Sequence, residues 1–203
     1  IFSDKKRSQT LPVGISTGLA WTPNGGDVLF IETATHKGSG KLSLTGQLGD
    51  VMKESVHTAF SYIKSHAKEC DVSPNSYKNA DIHIHFPEGA VKKDGPSAGV
   101  ASFLALVSQF SGKTLNSNLA MTGEISLRGD VLKVGGIKEK LLAAHRFGIE
   151  NVLIPQENTR DLEEIPKDVL KELKVTPVSN LSQVLAFAFG KNKSQPKTRK
   201  SRG

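Results

Sequence analysis

The chain has 203 residues, 37% of them hydrophobic, which is enough for one substantial core, and no shift in composition divides it. No apolar run is long enough to span a membrane, the opening Ile1-Phe2-Ser3-Asp4-Lys5-Lys6-Arg7 lacks the apolar stretch of a signal peptide, and the lone Cys70 excludes an internal disulfide and points to a reducing compartment. The formal charge of +7 lies mostly in residues 191–203, whose six Lys and Arg face no acid, so the remainder is nearly neutral.

In chain order, Val13 to Trp21 and Asp27 to Thr33 predict two strands joined by the Asn24-Gly25-Gly26 turn, and Lys41 to Thr45 alternates as a third. From Asp50 to about His66, Val51, Ser55, Ala59 and Tyr62 share a helical row that Val56, Phe60 and Ile63 widen, with Gly49 and Asp50 marking the start. Asp81 to Phe86 alternates strictly, with Ile82, Ile84 and Phe86 on one face of a strand and Asp81, His83 and His85 on the other.

Asp94-Gly95-Pro96-Ser97-Ala98-Gly99 then predicts a turn entering an amphipathic helix, because Pro96 suits a first helical position and Val100, Phe103, Leu104 and Val107 recur at helical spacing. Ser97 falls in the first turn, beside unpaired backbone N–H groups that include its own and that of Ala98, a setting suited to an oxyanion. A helix-capping serine is the competing reading. Gly95-x-Ser97-x-Gly99 matches the pattern of a nucleophile elbow, but residues 87–93 separate it from the preceding strand, so that context is lacking.

Further strands are expected around Leu119 to Met121, Ile125 to Leu127 and Val131 to Val134. The segment from Gly135 to His145 predicts a helix whose inward stripe is Ile137, Leu141, Ala144 and Gly148, and Lys140 lies on that stripe while Lys138 points elsewhere with Leu142 and His145. A lysine drawn toward a core near the positive end of a helix dipole has its charged form disfavoured, which is how it becomes a general base; otherwise it lays its methylenes on the apolar face and carries its charge out to water. A strand at Val152 to Ile154, a short helix near Asp161, a strand at Leu173 to Val178 and a helix from about Leu181 to Phe189 complete the body. Mixed hairpins and strand-helix units predict an α+β fold in a single compact domain.

Asp94-Gly95-Pro96-Ser97-Ala98-Gly99, Met121-Thr122-Gly123-Glu124 and Gly135-Gly136-Ile137-Lys138-Glu139-Lys140, in this order, closely resemble the proteolytic domain of the ATP-dependent Lon protease family, as do Trp21-Thr22-Pro23, residues 46–55 and His83-Ile84-His85. The likeness runs from about Val13 to Phe189. It implies a Ser-Lys dyad with Ser97 as nucleophile and Lys140 as base, Thr122 hydrogen-bonded to that lysine, and the Lon protease fold. It also implies that residues 1–12 are a linker from an upstream ATPase module, residues 13–190 the peptidase domain and residues 191–203 a basic tail. The absence of an initiator methionine fits a piece of a longer protein.

The tail has no hydrophobe to bury and is expected to be disordered, with weak nucleic-acid contact open to it. No cofactor is expected for this chain, ATP and Mg²⁺ belonging to the ATPase module, and no membrane partner. The expected partners are unfolded or damaged proteins and further copies of the chain in a hexamer, and the expected location is bacterial cytoplasm, with the mitochondrial matrix as the alternative. A noncatalytic binding module with a nucleic-acid-binding tail is the functional alternative.

Gly112-Lys113-Thr114 imitates the end of a phosphate-binding loop, but Val107 stands where that loop needs glycine and the tripeptide follows a helix instead of opening one. His83 and His85 have metal-like spacing without an evident third ligand beyond Asp81 or Glu88, so no metal is expected. They are expected to steady Asp94 or nearby backbone. Glu32, Glu124 and Asp94 are read as structural hydrogen-bonding acids.

Overall fold

The computed structural model describes residues 9–87 and 93–190. In chain order the elements are β1 (Ile15–Thr22), β2 (Gly25–Lys37), β3 (Leu42–Thr45), α1 (Asp50–Ser65), α2 (Asn75–Lys78), β4 (Ala80–His85), α3 (Gly99–Ser111), β5 (Leu119–Met121), β6 (Glu124–Ile125), β7 (Val131–Leu132), α4 (Ile137–Arg146), β8 (Asn151–Pro155), α5 (Lys167–Glu172), β9 (Lys174–Val178) and α6 (Leu181–Phe189). Two 3-10 segments, Pro96–Ala98 and Gln156–Glu164, stand before α3 and after β8.

Seven strands form one mixed sheet in the order β3-β4-β2-β1-β5-β8-β9, and β6 and β7 form a separate ribbon. The β1-β2 hairpin is antiparallel with Thr22 opposite Gly25, and β1, β5, β8 and β9 run parallel. This is the α+β architecture the hairpins and strand-helix units predict. Side-chain alternation places Leu119, Met121 and Leu153 on the face covered by α1, α3 and α6, while Ala120, Val152 and Ile154 face α4 and α5.

β2 extends past the expected Thr33 to Lys37 because its second half pairs with β4, Thr33 opposite Ile84 and Lys37 opposite Ala80. The α3 helix is not amphipathic as expected: every residue from Gly99 to Ser108 is buried, since it lies between the sheet and neighbouring helices. Truncating Phe103 there to alanine costs about 3–5 kcal/mol. Gly112 ends α3 in the left-handed conformation, so the Gly-Lys-Thr run is a helix stop.

The described body begins earlier than the expected domain start at Val13. Leu11 is buried and donates its N–H to Leu115 O at 2.8 Å, and Thr10 bridges Asn116, so residues 9–12, expected to be linker, pack on the domain. An apolar side chain with a receiving edge beside the start of β5 overrides the polar composition of that stretch. Residues 1–8 of the expected linker and the tail at 191–203 lie outside the described residues.

Candidate active site

The α4 helix buries Ile137, Lys140, Leu141 and Ala144, while Lys138 is exposed. Gly148 leaves the expected inward stripe and is exposed, because the helix ends at Arg146 and residue 148 turns in the left-handed region. Two glycines seat the helix. Gly26 of the hairpin lies against the backbone of Glu139, where any Cβ would collide with that carbonyl, and its own carbonyl accepts from Arg146 Nη2 at 2.8 Å. Gly136, with φ of 68°, precedes α4 and packs on Trp21, which a Cβ would meet at 2.8 Å.

Lys140 is 2% exposed and donates from Nζ to Thr122 Oγ1 at 3.1 Å. Burial pulls its pKa down to about 8 against an opposing push from the carboxylate of Glu139. The side chain therefore does not carry its charge out to water. Thr122, itself buried, follows β5 and is held by its N–H donating to Leu153 O at 3.1 Å.

Ser97 lies in the 3-10 turn Pro96–Ala98, one step ahead of the helix proper. Asp94 Oδ1 accepts from Gly95 N at 2.9 Å and Met52 N at 3.2 Å, joining the turn to the start of α1. Pro96 O accepts from Ser55 Oγ at 3.2 Å, and Ser97 O accepts from Gly123 N at 2.9 Å and, longer, from Thr122 Oγ1 at 3.5 Å. The serine turn is thus fixed from two sides by α1 and by the segment after β5. Ala98 is buried at its end.

Ser97 and Lys140 line one cleft of about 410 Å³ with Trp21, Lys133, Val134, Gly135 and Gly136. Among the described residues no hydrogen bond joins Ser97 Oγ to Lys140 Nζ; Thr122 bonds the lysine and reaches the serine carbonyl. Such a cleft supplies a hydroxyl, a lysine of lowered basicity and a 3-10 turn, the parts of acyl transfer.

His83 and His85 are not brought to this site. Both rings bond Thr45 Oγ1, at 2.8 Å from His83 Nε2 and 2.7 Å from His85 Nδ1, whereas Asp94 is satisfied by backbone N–H groups. The expected steadying of Asp94 or nearby backbone by these histidines is therefore corrected among the described residues, since the pairing of β3 with β4 sets the Thr45 hydroxyl beside both rings. Glu32 lies opposite His85 in the strand register and Glu124 begins β6. No group of three or more His, Cys, Asp or Glu is placed to hold a metal among the described residues.

The sequence reading missed the cleft wall at residues 133–136 and the side chain behind it. Asn158, fully buried in the 3-10 segment Gln156–Glu164, accepts from Val134 N at 3.0 Å and donates to Val134 O at 2.8 Å. A single asparagine in a polar run carries no periodic signal; only the fold shows its partner.

A family model described as the Lon protease (S16) C-terminal proteolytic domain matches residues 1–191. Lon protease of Lawsonia intracellularis is 55% identical over 188 residues, 93% of this chain and 23% of that protein. Lon protease 4 of Sorangium cellulosum is 56% identical over 188 residues with the same coverage, and Lon protease of Escherichia coli K12 is 55% identical over 177 residues, 87% of this chain and 23% of that protein. The chain thus spans under a quarter of the length of these relatives.

Proposed function

The chain belongs to the family of Lon protease (S16) C-terminal proteolytic domains, and on that premise we propose that it cleaves peptide bonds through an acyl-enzyme formed on Ser97, with Lys140 as the base. The observation that carries this reading is a buried lysine, lowered to about 8, in the same cleft as a serine on a pinned turn.

In this mechanism neutral Lys140 takes the proton of Ser97 Oγ as the oxygen attacks the scissile carbonyl, and the Ala98 N–H faces the developing oxyanion. The lysine returns the proton to the leaving amine, then takes one from the water that breaks the acyl ester. Thr122 engages one Nζ hydrogen and so directs the nitrogen lone pair toward the serine. Burial supplies the neutral form: an ordinary lysine, near 10.5, is almost wholly protonated at neutral pH, while one at about 8 has a useful neutral fraction.

Within a longer protein, the proposed substrates are unfolded or damaged proteins, handled by a hexamer whose ATP and Mg²⁺ bind outside this chain, in bacterial cytoplasm or, as the alternative, the mitochondrial matrix. The basic tail is proposed to add at most weak nucleic-acid contact. On this reading, turnover of short peptides by the 203-residue chain is indifferent to ATP. Labelling with a fluorophosphonate followed by peptide mapping tests the function: modification of Ser97 in wild type and none in Lys140→Met is expected. Modification elsewhere, or no modification of a folded and turning-over enzyme, contradicts it.

A further inference from the structure

Lys133, Val134, Gly135 and Gly136 form the wall of the cleft that also holds Ser97 and Lys140. The segment leaves β7 at Leu132 and enters α4 at Ile137 without belonging to a strand. A main chain in that position needs partners for its buried polar groups, and both backbone groups of Val134 find them on one side chain. Asn158 accepts from the Val134 N–H at 3.0 Å and donates to its carbonyl at 2.8 Å, as a neighbouring strand would. The same amide donates from Nδ2 to Asp161 Oδ2 at 2.6 Å, which fixes which end of the amide faces each Val134 group.

The α4 helix that carries Lys140 has anchors of its own. Gly26 lies against it, Arg146 ties it to the hairpin, and Ile137, Leu141 and Ala144 are buried in the core beneath the sheet. The wall joins α4 at Gly136, whose carbonyl accepts from Lys140 N at 3.0 Å, but Val134 is held by Asn158 and α4 by Gly26, Arg146 and the core, so loss of the Val134 clamp need not displace the base.

We propose that Asn158 is a positioning residue for peptide binding: its amide clamps Val134 so that the wall at residues 133–136 presents a fixed surface to the substrate chain beside Ser97. This rests on the reading of Ser97 and Lys140 as the reacting pair. Asn158 touches neither the reacting atoms nor the substrate. Asp161 acts behind it by holding the amide in register.

The test compares two readouts on the 203-residue chain: turnover of a fluorogenic peptide, which needs the wall, and labelling of Ser97 by a small fluorophosphonate, which does not. N158A is expected to lower kcat/KM for the peptide about tenfold or more, chiefly through a raised KM, with a labelling rate within about twofold of wild type. D161A retains the Asn158 amide and is expected to raise KM in the same direction by a smaller factor, so it decides the matter should N158A fail to fold. Unchanged peptide KM in both variants overturns the clamp. So does a fall in turnover and labelling by one common factor in both variants, which is the mark of lost folded protein and not of a displaced wall. A wild-type chain in which Ser97 is not labelled overturns the catalytic reading itself and the clamp with it, whereas labelled wild type with an indifferent N158A overturns the clamp alone.

Discussion

Lys140 and the pair His83 and His85 project from regular elements of the same sheet-centred body, yet they meet different surroundings. The lysine is 2% exposed behind a cleft, with a single hydroxyl partner in Thr122. The histidines stand half-buried on β4 beside the short strand β3, share Thr45 and do not line the cleft that holds Ser97. Histidine is the residue whose ordinary chemistry suits proton transfer near neutral pH. Here it is the lysine that shares a cleft with Ser97, and enclosure lowers its pKa to about 8, giving it a neutral fraction that an exposed lysine lacks. On the proposed mechanism, position in the fold, more than residue type, separates the base from a pair of hydrogen-bonding rings.

The largest effect expected from breaking that contrast is in Ser97→Ala. It removes one hydroxyl from a turn held through its backbone, so thermal unfolding should match wild type while hydrolysis of a fluorogenic peptide falls to background. Retained turnover would move the nucleophile elsewhere.

Next is the comparison of the two lysines of α4. Lys140→Arg keeps a positive charge but offers no base, since guanidinium stays protonated above about pH 12, and peptide turnover should fall by about 10³-fold or more. Lys138→Arg, exposed on the other face, should remain within about twofold of wild type in the same assay. Equal losses in the two would mean that the run acts through charge alone.

Thr122→Val is a smaller perturbation, removing the oxygen that holds Nζ while keeping the shape. A drop of about tenfold in kcat is expected, the scale of one orienting hydrogen bond. A wild-type kcat would show that burial of Lys140 suffices without Thr122.

Stability gives an independent reading of the same burial. Between about 8 and 10.5 the unfolded chain keeps a proton on this lysine that the folded chain has released, so the Lys140 contribution to stability rises with pH across that window. Below about 8 both states hold the proton and the full penalty of a buried ammonium applies, on the order of 3 kcal/mol for a shift of this size. Lys140→Met should therefore unfold at a higher denaturant concentration than wild type at neutral pH, and the gap should narrow as pH approaches 10.5. A constant gap would deny the penalty. The smallest effect is expected on β4: His85→Ala, at a half-buried position outside the lining of the cleft, should change peptide turnover by no more than about twofold.

What was legible in the sequence follows the same division. Lys140 was visible because periodicity marks which helical positions face inward, and a charge among Ile137, Leu141 and Ala144 breaks that pattern. Strand β4 was visible through the alternation of Ile82, Ile84 and Phe86, all fully buried. The burial of α3 on every side was not, because Ser102 and Ser108 within it read as polar positions and only the helices and sheet around it enclose them. Helix α5 escaped because six residues after a proline carry too little periodic signal. Thr122 entered through family likeness; its bond to Lys140 joins residues 18 apart in sequence and no local rule connects them. Asn158 stayed hidden for the same reason, its partner being 24 residues away.

The central claim is that burial makes Lys140 a base at neutral pH. Titration of the Cε resonance of isotopically labelled lysine, with the Lys140 signal identified by its loss in Lys140→Arg, measures this directly. A midpoint near about 8 is expected, well below the other lysines. A Lys140 signal that titrates in the ordinary range near 10.5 would contradict the account.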